Sequence, residues 1–445
     1  MERKKVVIIG AGCAGLSAAY TLQKQGVDYV VLETTDRIGG RVGNKQNSGF
    51  TYGIGAAMTE PQWKTTFEYL TELNLTDKVK PVENQCYAFW NKKKIHYLLL
   101  GKDTKLSHLL GFRGMPFKTY IQALRFMTAI KKYIAMLGNG NHDFSSLSEI
   151  SNTSTAEFGL EHGGPEVVNR ILNPFLGTMT LARASDVSIA HPIALLSLMK
   201  GMCYLDGGLG ILMDALYEKV KENVRLSTPV RKVITENGMV KGVETGQGFI
   251  EADQVICTTD AVLTRQIIPD LPSTMREPLE TCKYSTTYNY VFGLKKKVVP
   301  DYFLSLMIPA SENSILSTIF DENSKAFGSR GPEGAGLMHA FTAGWHDAEL
   351  TGLSEEARTR RVICEIQKYF PEFPDQPLFT DSIRYERAIN LEAPGQFNAI
   401  QDLIRHHMRD VKGLYLAGEY LFLIASTEGA LATGEEAAQS VIRDR

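Results

Sequence analysis

An α/β fold built on a parallel, Rossmann-type sheet is predicted by three features at the start of the chain. Val6-Val7-Ile8-Ile9 is a β-branched run suited to a strand buried on both faces. Gly10-Ala11-Gly12-Cys13-Ala14-Gly15 follows at once and opens a helix over 16–25, which Gly26 stops. Residues 27–32 then read as a second parallel strand, ending on an acid, Glu33, 23 residues after Gly10.

Each glycine in that turn has its own physical task. Gly10 permits the tight turn, Gly12 lets backbone N–H groups approach a pyrophosphate, and Gly15 allows the helix to pack closely. Cys13 and Ala14 complete the loop at the helix N-terminus, where partial positive charge favours phosphate. Glu33 is suited to accept hydrogen bonds from ribose hydroxyls, so the unit reads as a dinucleotide site. Glu33-x3-Arg37-x-Gly39-Gly40-Arg41 extends that site beyond what a nicotinamide enzyme needs. Arg41 supplies a fixed positive charge for the pyrophosphate, and the cofactor indicated is FAD.

Further along, 117–137 has a helical period of apolar residues at Tyr120, Ile121, Leu124, Met127, Ile130 and Ile134. The chain up to about residue 200 is expected to be mostly helical. Short strands are expected from 224. Residues 230–235, the turn Asn237-Gly238 and 240–244 read as a hairpin, with 249–250 and 255–258 continuing its sheet. Strands over 284–294 and 337–342 precede a helix over 354–369. At the end, 414–417 reads as a buried strand, Gly418-Glu419 turns beside the cofactor, and 428–441 reads as a helix. Its first N–H groups, near Gly429 and Ala430, are expected to face the flavin, whose reduced form is anionic there.

Composition narrows the functional class. The 445 residues suffice for two or three domains, and 44% hydrophobic with 22% charged residues is ordinary for a globular chain. A net charge of −2 without a long block of like charge argues against a nucleic-acid partner. Six cysteines lack C-x-x-C spacing, and His406-His407 lacks helical metal-ligand spacing, so no metal is expected and the thiols read as reduced, in a cytoplasmic protein. Met1-Glu2-Arg3-Lys4-Lys5 with the apolar run after it imitates a signal peptide, but the glycine turn makes that run a buried strand. No run of 18 apolar residues exists, so no transmembrane span is expected. The basic and apolar helix over 117–137 is read as packing within a substrate domain, with peripheral membrane contact as the alternative.

The chain resembles the flavin-containing amine oxidase superfamily, which includes monoamine and polyamine oxidases, protoporphyrinogen oxidases and phytoene desaturases. The likeness runs through the chain in order. Gly53-Ile54-Gly55-Ala56-Ala57-Met58 is similar to the loop under the flavin, and Asp206-Gly207-Gly208-Leu209-Gly210 to an internal glycine turn. Pro229-Val230 resembles the strand that meets the adenine. Gly413 to Glu419, then Ser426-Thr427-Glu428-Gly429-Ala430 and Gly434, resemble the closing block. The resemblance implies a Rossmann-type FAD-binding domain (1–80, 203–285 and 381–445). Interleaved with it would be an α+β substrate domain with a mixed sheet and helices (81–202 and 286–380). Val230, Glu419 and Glu428 would then join the FAD site. With no cysteine in the closing block the FAD is expected to be non-covalent. With no second G-x-G-x-x-G after a strand, electrons are expected to leave to oxygen or another acceptor.

The departures bear on chemistry. Many amine oxidases of the family present a lysine near flavin N5, whereas no lysine lies between Lys283 and Lys295 here and Asn289 takes that place. Ser426 stands where a tyrosine is expected, and Asn390 where porphyrinogen oxidases and desaturases often carry proline. A standard monoamine oxidase is disfavoured. The expected activity is removal of a hydride from a C–N or allylic C–C bond of an apolar small molecule. Tyr204, Tyr288, Asn289, Tyr290, Tyr385 and Tyr420 are the pocket candidates. His191, His339 and His346 are further candidates, with a non-catalytic role the commoner case. The alternatives are a flavin-dependent isomerase or mutase without net oxidation, and a non-catalytic flavoprotein.

Overall fold

The β-branched run Val6–Ile9 lies at the centre of a five-stranded parallel sheet, buried at all four positions. A computed structural model describes residues 5–107, 112–137, 143–199, 201–322 and 330–445; the reading of Met1 to Lys4 falls outside them. The strand order is Leu414–Leu416, Gln254–Cys257, Val6–Ile9, Tyr29–Leu32 and Val224–Arg225. Register aligns Val6 with Gln254 on one side and with Tyr29 on the other, and Val255 with Leu414. Strands contributed by both ends of the chain thus share one sheet. The first helix, Cys13–Lys24, packs against the last, Thr427–Arg443, over one face of it, with Leu16, Ala18, Leu431 and Ala438 in the shared core.

One assignment changes. The hairpin Val230–Glu236 with Met239–Thr245 forms as expected, and Gly248–Glu251 continues its sheet. Gln254–Cys257 instead leaves for the parallel sheet between Val6–Ile9 and Leu414–Leu416. Burial explains the difference: all four residues of Gln254–Cys257 are buried, whereas the hairpin strands are buried only in part.

The middle of the chain is less helical than expected. Helices Phe117–Met136, Thr155–His162, Asn173–Met179 and Ala190–Leu198 form a bundle with its own apolar core. Before them stands a long hairpin, Asn84–Asn91 with Lys94–Gly101, and Phe303–Met307 lies parallel beside it. Its two-residue turn is Lys92-Lys93, both at positive φ (51° and 61°). Such turns usually carry Asn or Gly, so two lysines gave no hairpin signal.

A four-stranded antiparallel sheet follows, in the order Leu316–Asp321, Gly336–Thr342, Thr287–Leu294 and Phe379–Tyr385. Helix Glu355–Tyr369 covers one face with Val362 and Ile366. Phe379–Tyr385 pairs with Thr287–Leu294 along its length, so a division at 381 cuts a continuous strand. Among the described residues no helix is long and apolar enough to cross a membrane.

Candidate cofactor and substrate site

The site begins at the carboxyl edge of the parallel sheet, where open α/β folds place their ligands. Gly10 takes φ +102°, and a Cβ there would stand 2.8 Å from Thr258 Oγ1. A Cβ on Gly15 would stand 1.9 Å from the Gly10 carbonyl oxygen, so this close approach excludes any side chain. Gly12 differs from both. Its φ of −75° suits any residue, and a Cβ there would have nothing within 4 Å. What that Cβ would enter is a cavity of about 620 Å³.

The cavity runs from the glycine turn to the four-stranded antiparallel sheet. At its first end lie Gly10, Gly12, Cys13, Ala14, Glu33 and Val230. Glu33 is held from both sides: Ala11 N donates to Oε2 (2.8 Å), and Thr35 N and Oγ1 donate to Oε1 (2.9 and 2.8 Å). Oε1 is filled by its two bonds, and Oε2 retains one acceptor site beyond its bond to Ala11 N. The middle of the wall is Gly39, Gly40, Arg41, the segment 55–58 (Gly55, Ala56, Ala57, Met58), Gly418 and Glu419. Arg41 spans two elements, 2.6 Å from Glu419 Oε2 and donating to the Ala388 carbonyl (2.9 Å). Burial works against its charge, and the Glu419 carboxylate outweighs that, holding the guanidinium above its usual range. Glu419 Oε1 is buried with no hydrogen-bond partner among the described residues, leaving an acceptor in the wall of the site. The far end is largely apolar: Met179, Leu181, Leu195, Phe320, Phe341 and Ile424, with Thr178 and His191 among them.

Burial keeps the inner groups neutral. It pushes the Cys13 thiol up to about 12, against a smaller opposing effect of Arg41. The same cause lowers His191 to about 4, only partly offset by its contact with the Leu423 carbonyl (3.2 Å). Tyr385 is raised by burial, and its hydroxyl donates to the Ile54 carbonyl (3.1 Å).

Several expected site residues lie elsewhere. Arg37 donates to the Gly40 and Ile38 carbonyls (2.7 and 3.3 Å), bracing the loop from behind. Gly15 packs inside the turn, as its task requires. Glu428 does not line the cavity: its carboxylate accepts from Thr65 N, Thr66 N and Thr66 Oγ1 at 2.8–2.9 Å. It thereby caps the helix Lys64–Glu72, which has no side-chain cap of its own. Gly429 is also outside the lining residues, because Ser426 is the N-cap and its Oγ accepts the Gly429 N–H (3.1 Å). Thr427 and Ala430 are the residues of that helix on the cavity wall.

Among the pocket candidates, Tyr385 lines the cavity. Tyr204 is wholly buried beside Met202, and Tyr420 lies in the core behind the parallel sheet. Tyr288 faces helix Glu355–Tyr369, with the Arg358 guanidinium 4.2 Å from its ring centre, and Tyr290 bonds the same arginine. These tyrosines share a strand with cavity-lining Thr287, but the strand's alternation sends their rings to the core. Asn289 is buried one layer beneath the cavity. Its Nδ2 donates to the Ile54 carbonyl (2.9 Å) and its Oδ1 lies 3.0 Å from His339 Nδ1. His339 in turn lies 3.5 Å from Glu322. Asn289 and Tyr385 therefore converge on one carbonyl and position the loop 53–58. His346 sits near the surface, paired with Glu349.

Residues the sequence reading passed over include Thr258, Thr259 and Asp260 on the near wall, and Thr178, Met179, Phe320 and Phe341 on the far one. The first three had a findable signal, since they follow a fully buried strand as Glu33 does. The others had none, because their meeting depends on how the helical bundle is set against the four-stranded sheet.

The family model of the flavin containing amine oxidoreductases matches residues 13–442. The chain belongs to that family. A similar relative is an L-amino acid oxidase of Cerastes cerastes, 26% identical over 318 residues, covering 67% of this chain and 59% of that protein. Another is a 1-hydroxycarotenoid 3,4-desaturase of Flavobacterium sp. (strain P99-3), 24% identical over 313 residues, covering 66% of this chain and 64% of that one. The matched region thus spans about three fifths of those relatives. Among solved structures the chain is similar in fold to a putative protoporphyrinogen oxidase from Exiguobacterium sp. 255-15, with TM-score 0.78, 18% identity and 100% of both chains covered. It is also similar to putrescine oxidase bound to putrescine, with TM-score 0.77, 16% identity and 99% of both chains covered.

Proposed function

We propose that this family member binds FAD non-covalently along the cavity and removes a hydride from a C–N or allylic C–C bond of an apolar small molecule. Oxygen or another acceptor then takes the electrons. The carrying observation is continuity: one cavity joins the Gly12 turn and Glu33 to an apolar chamber lined by Met179, Leu181, Phe320 and Phe341. The chain fits the cofactor at three points, the open space over Gly12, the free acceptor of Glu419 and the charge of Arg41.

Bound FAD supplies two-electron redox chemistry. The chain's own residues do the rest. The N-terminus of helix Cys13–Lys24 and Arg41 would neutralise a pyrophosphate, and Glu33 Oε2 would accept from a ribose hydroxyl. Val230, on the cavity wall near Glu33, would hold the adenine. Ile54, held by Asn289 and Tyr385, fixes the loop 53–58, and the N-terminus of helix Thr427–Arg443 favours negative charge near Thr427 and Ala430. Apolar side chains line the far chamber, and His191, neutral above about pH 4, adds no charge. That chemistry supports an uncharged or apolar reacting group over an ionic one. Cys13, the cysteine lining the cavity, keeps its proton at neutral pH, which supports the non-covalent reading. We assign FAD binding to 1–80, 203–285 and 381–445 and substrate binding to 81–202 and 286–380, with strand Phe379–Tyr385 shared at the seam.

The visible spectrum of the purified protein, followed by anaerobic titration, tests the reading. The panel holds primary and secondary amines, amino acids, a porphyrinogen and a polyene. Flavin bands bleached by one compound and restored by air support it. A colourless chain that FAD cannot reconstitute refutes it, and a flavinated chain that no compound bleaches refutes the oxidative part.

A further inference from the structure

We propose that the outer face of helix Phe117–Met136 docks on an anionic lipid surface. The helix buries Gln122, Phe126, Ile130 and Tyr133. Its opposite side, where a water-facing helix carries polar residues, presents Phe117, Ile121 and Leu124 at successive turns, 78%, 40% and 70% exposed. Met127 and Met136 are exposed on the same helix.

Charge identifies the occupant. Lys118, Arg125, Lys131 and Lys132 are exposed around this apolar stripe. Residues 92–132 hold ten Lys and Arg against one acid, Asp103, a net of +9 in a chain whose total is −2. Lys102, one of the ten, pairs with Glu83 just outside this stretch (3.4 Å), and the whole-chain balance conceals the remaining excess. The fold gathers it further: Asn91 Nδ2 donates to the Arg113 carbonyl (3.1 Å), bringing the exposed turn Lys92-Lys93 to the N-terminal end of the helix. Apolar side chains ringed by cations match an acyl boundary beneath anionic headgroups. A second copy of the chain would set two such basic poles against each other, which repulsion opposes. The buried side of the helix packs on Ala190–Leu198, which carries His191 and Leu195 of the cavity wall. Docking would therefore hold the apolar chamber close to a lipid phase.

Co-sedimentation of the purified holoprotein with vesicles tests this. We expect at least about tenfold more protein on phosphatidylcholine vesicles holding about 30% phosphatidylglycerol than on phosphatidylcholine alone, with raised salt weakening the binding. The pairs Phe117→Glu with Leu124→Glu, and Lys131→Gln with Lys132→Gln, each weaken it about tenfold. Phe249→Glu, an exposed aromatic on the distant hairpin sheet, does not. All variants change exposed positions, and thermal melts report whether the fold is kept. Several outcomes overturn the proposal: no vesicle binding, binding indifferent to the Phe117 and Leu124 pair, or a dimer in lipid-free buffer that this pair converts to monomer. Preference for a nucleic acid, lost with the lysine pair and kept with the apolar one, also overturns it.

Discussion

Replacing Glu428 by alanine removes the acceptor of three hydrogen bonds that join the last helix of the chain to the helix Lys64–Glu72. Thr65 N at 2.9 Å, and Thr66 N and Oγ1 at 2.8 Å, all end on this one carboxylate. Thr65 and Thr66 are the second and third residues of their helix, whose N–H groups lack an intrahelical partner, and Glu428 is fully buried. Hydrogen bonds to a charged acceptor contribute about 1.5–3 kcal/mol, and each buried donor left unpaired costs about 1–3 kcal/mol. Because the three share one acceptor and the site relaxes in part, Glu428→Ala is expected to cost about 3–5 kcal/mol. With an unfolding entropy of about 2.1 cal/mol/K per residue, 445 residues unfolding as one unit lose about 1 °C per kcal/mol. The melting temperature should then fall by about 3–5 °C, and for Glu428→Gln by about half that. The assay is thermal unfolding with and without saturating FAD, together with the FAD dissociation constant at 25 °C, where both variants remain folded. An unchanged melting temperature with flavin affinity weakened about tenfold would show that Glu428 serves the cofactor directly, and would refute its role as a cap.

The two glycines of the first turn should separate folding from binding. Gly12→Val is expected to melt near wild type without cofactor yet bind FAD at least about 100-fold more weakly, because its side chain enters the cavity. Gly15→Val, driven against the Gly10 carbonyl, should yield no folded protein, and soluble expression with flavin titration separates the two. Arg41→Ala leaves Glu419 buried without its cation; a stability loss of about 1–3 kcal/mol and about tenfold weaker FAD retention are expected, read by denaturant unfolding and ultrafiltration. His191, at about 4 in the fold against an ordinary 6.5, binds fewer protons folded than unfolded between those values. Its contribution is therefore intact above about pH 6.5 and declines as pH falls towards 4, by about 3 kcal/mol in all. His191→Leu should show a correspondingly flatter stability profile in denaturant melts from pH 7 to pH 4.

Local rules wrote the first unit of this fold into contiguous residues. A buried β-branched strand, glycines at 10, 12 and 15, and Glu33 one strand later specify a tight strand–turn–helix unit without reference to the rest of the chain. The same holds for the closing strand and helix, because backbone geometry and helix-terminal charge act over a few residues. What the sequence could not disclose is where long-range partners meet. Lys92-Lys93 occupies a turn that local preference does not favour, so its hairpin stayed hidden. Gln254–Cys257 had the composition of a neighbouring hairpin strand and joined the parallel sheet because only there are both its faces covered. Glu428 lies beside the cofactor signature in sequence, yet its carboxylate turns to a helix 362 residues away, whose first turn had no cap. The tyrosines of Thr287–Leu294 turned to the core because strand parity was set by pairing with Gly336–Thr342 and Phe379–Tyr385. The sequence by itself determined the glycine-turn end of the cavity, since a short loop must carry its own geometry. The tertiary structure alone decided the apolar chamber, since it is assembled by packing between segments that carry no record of one another.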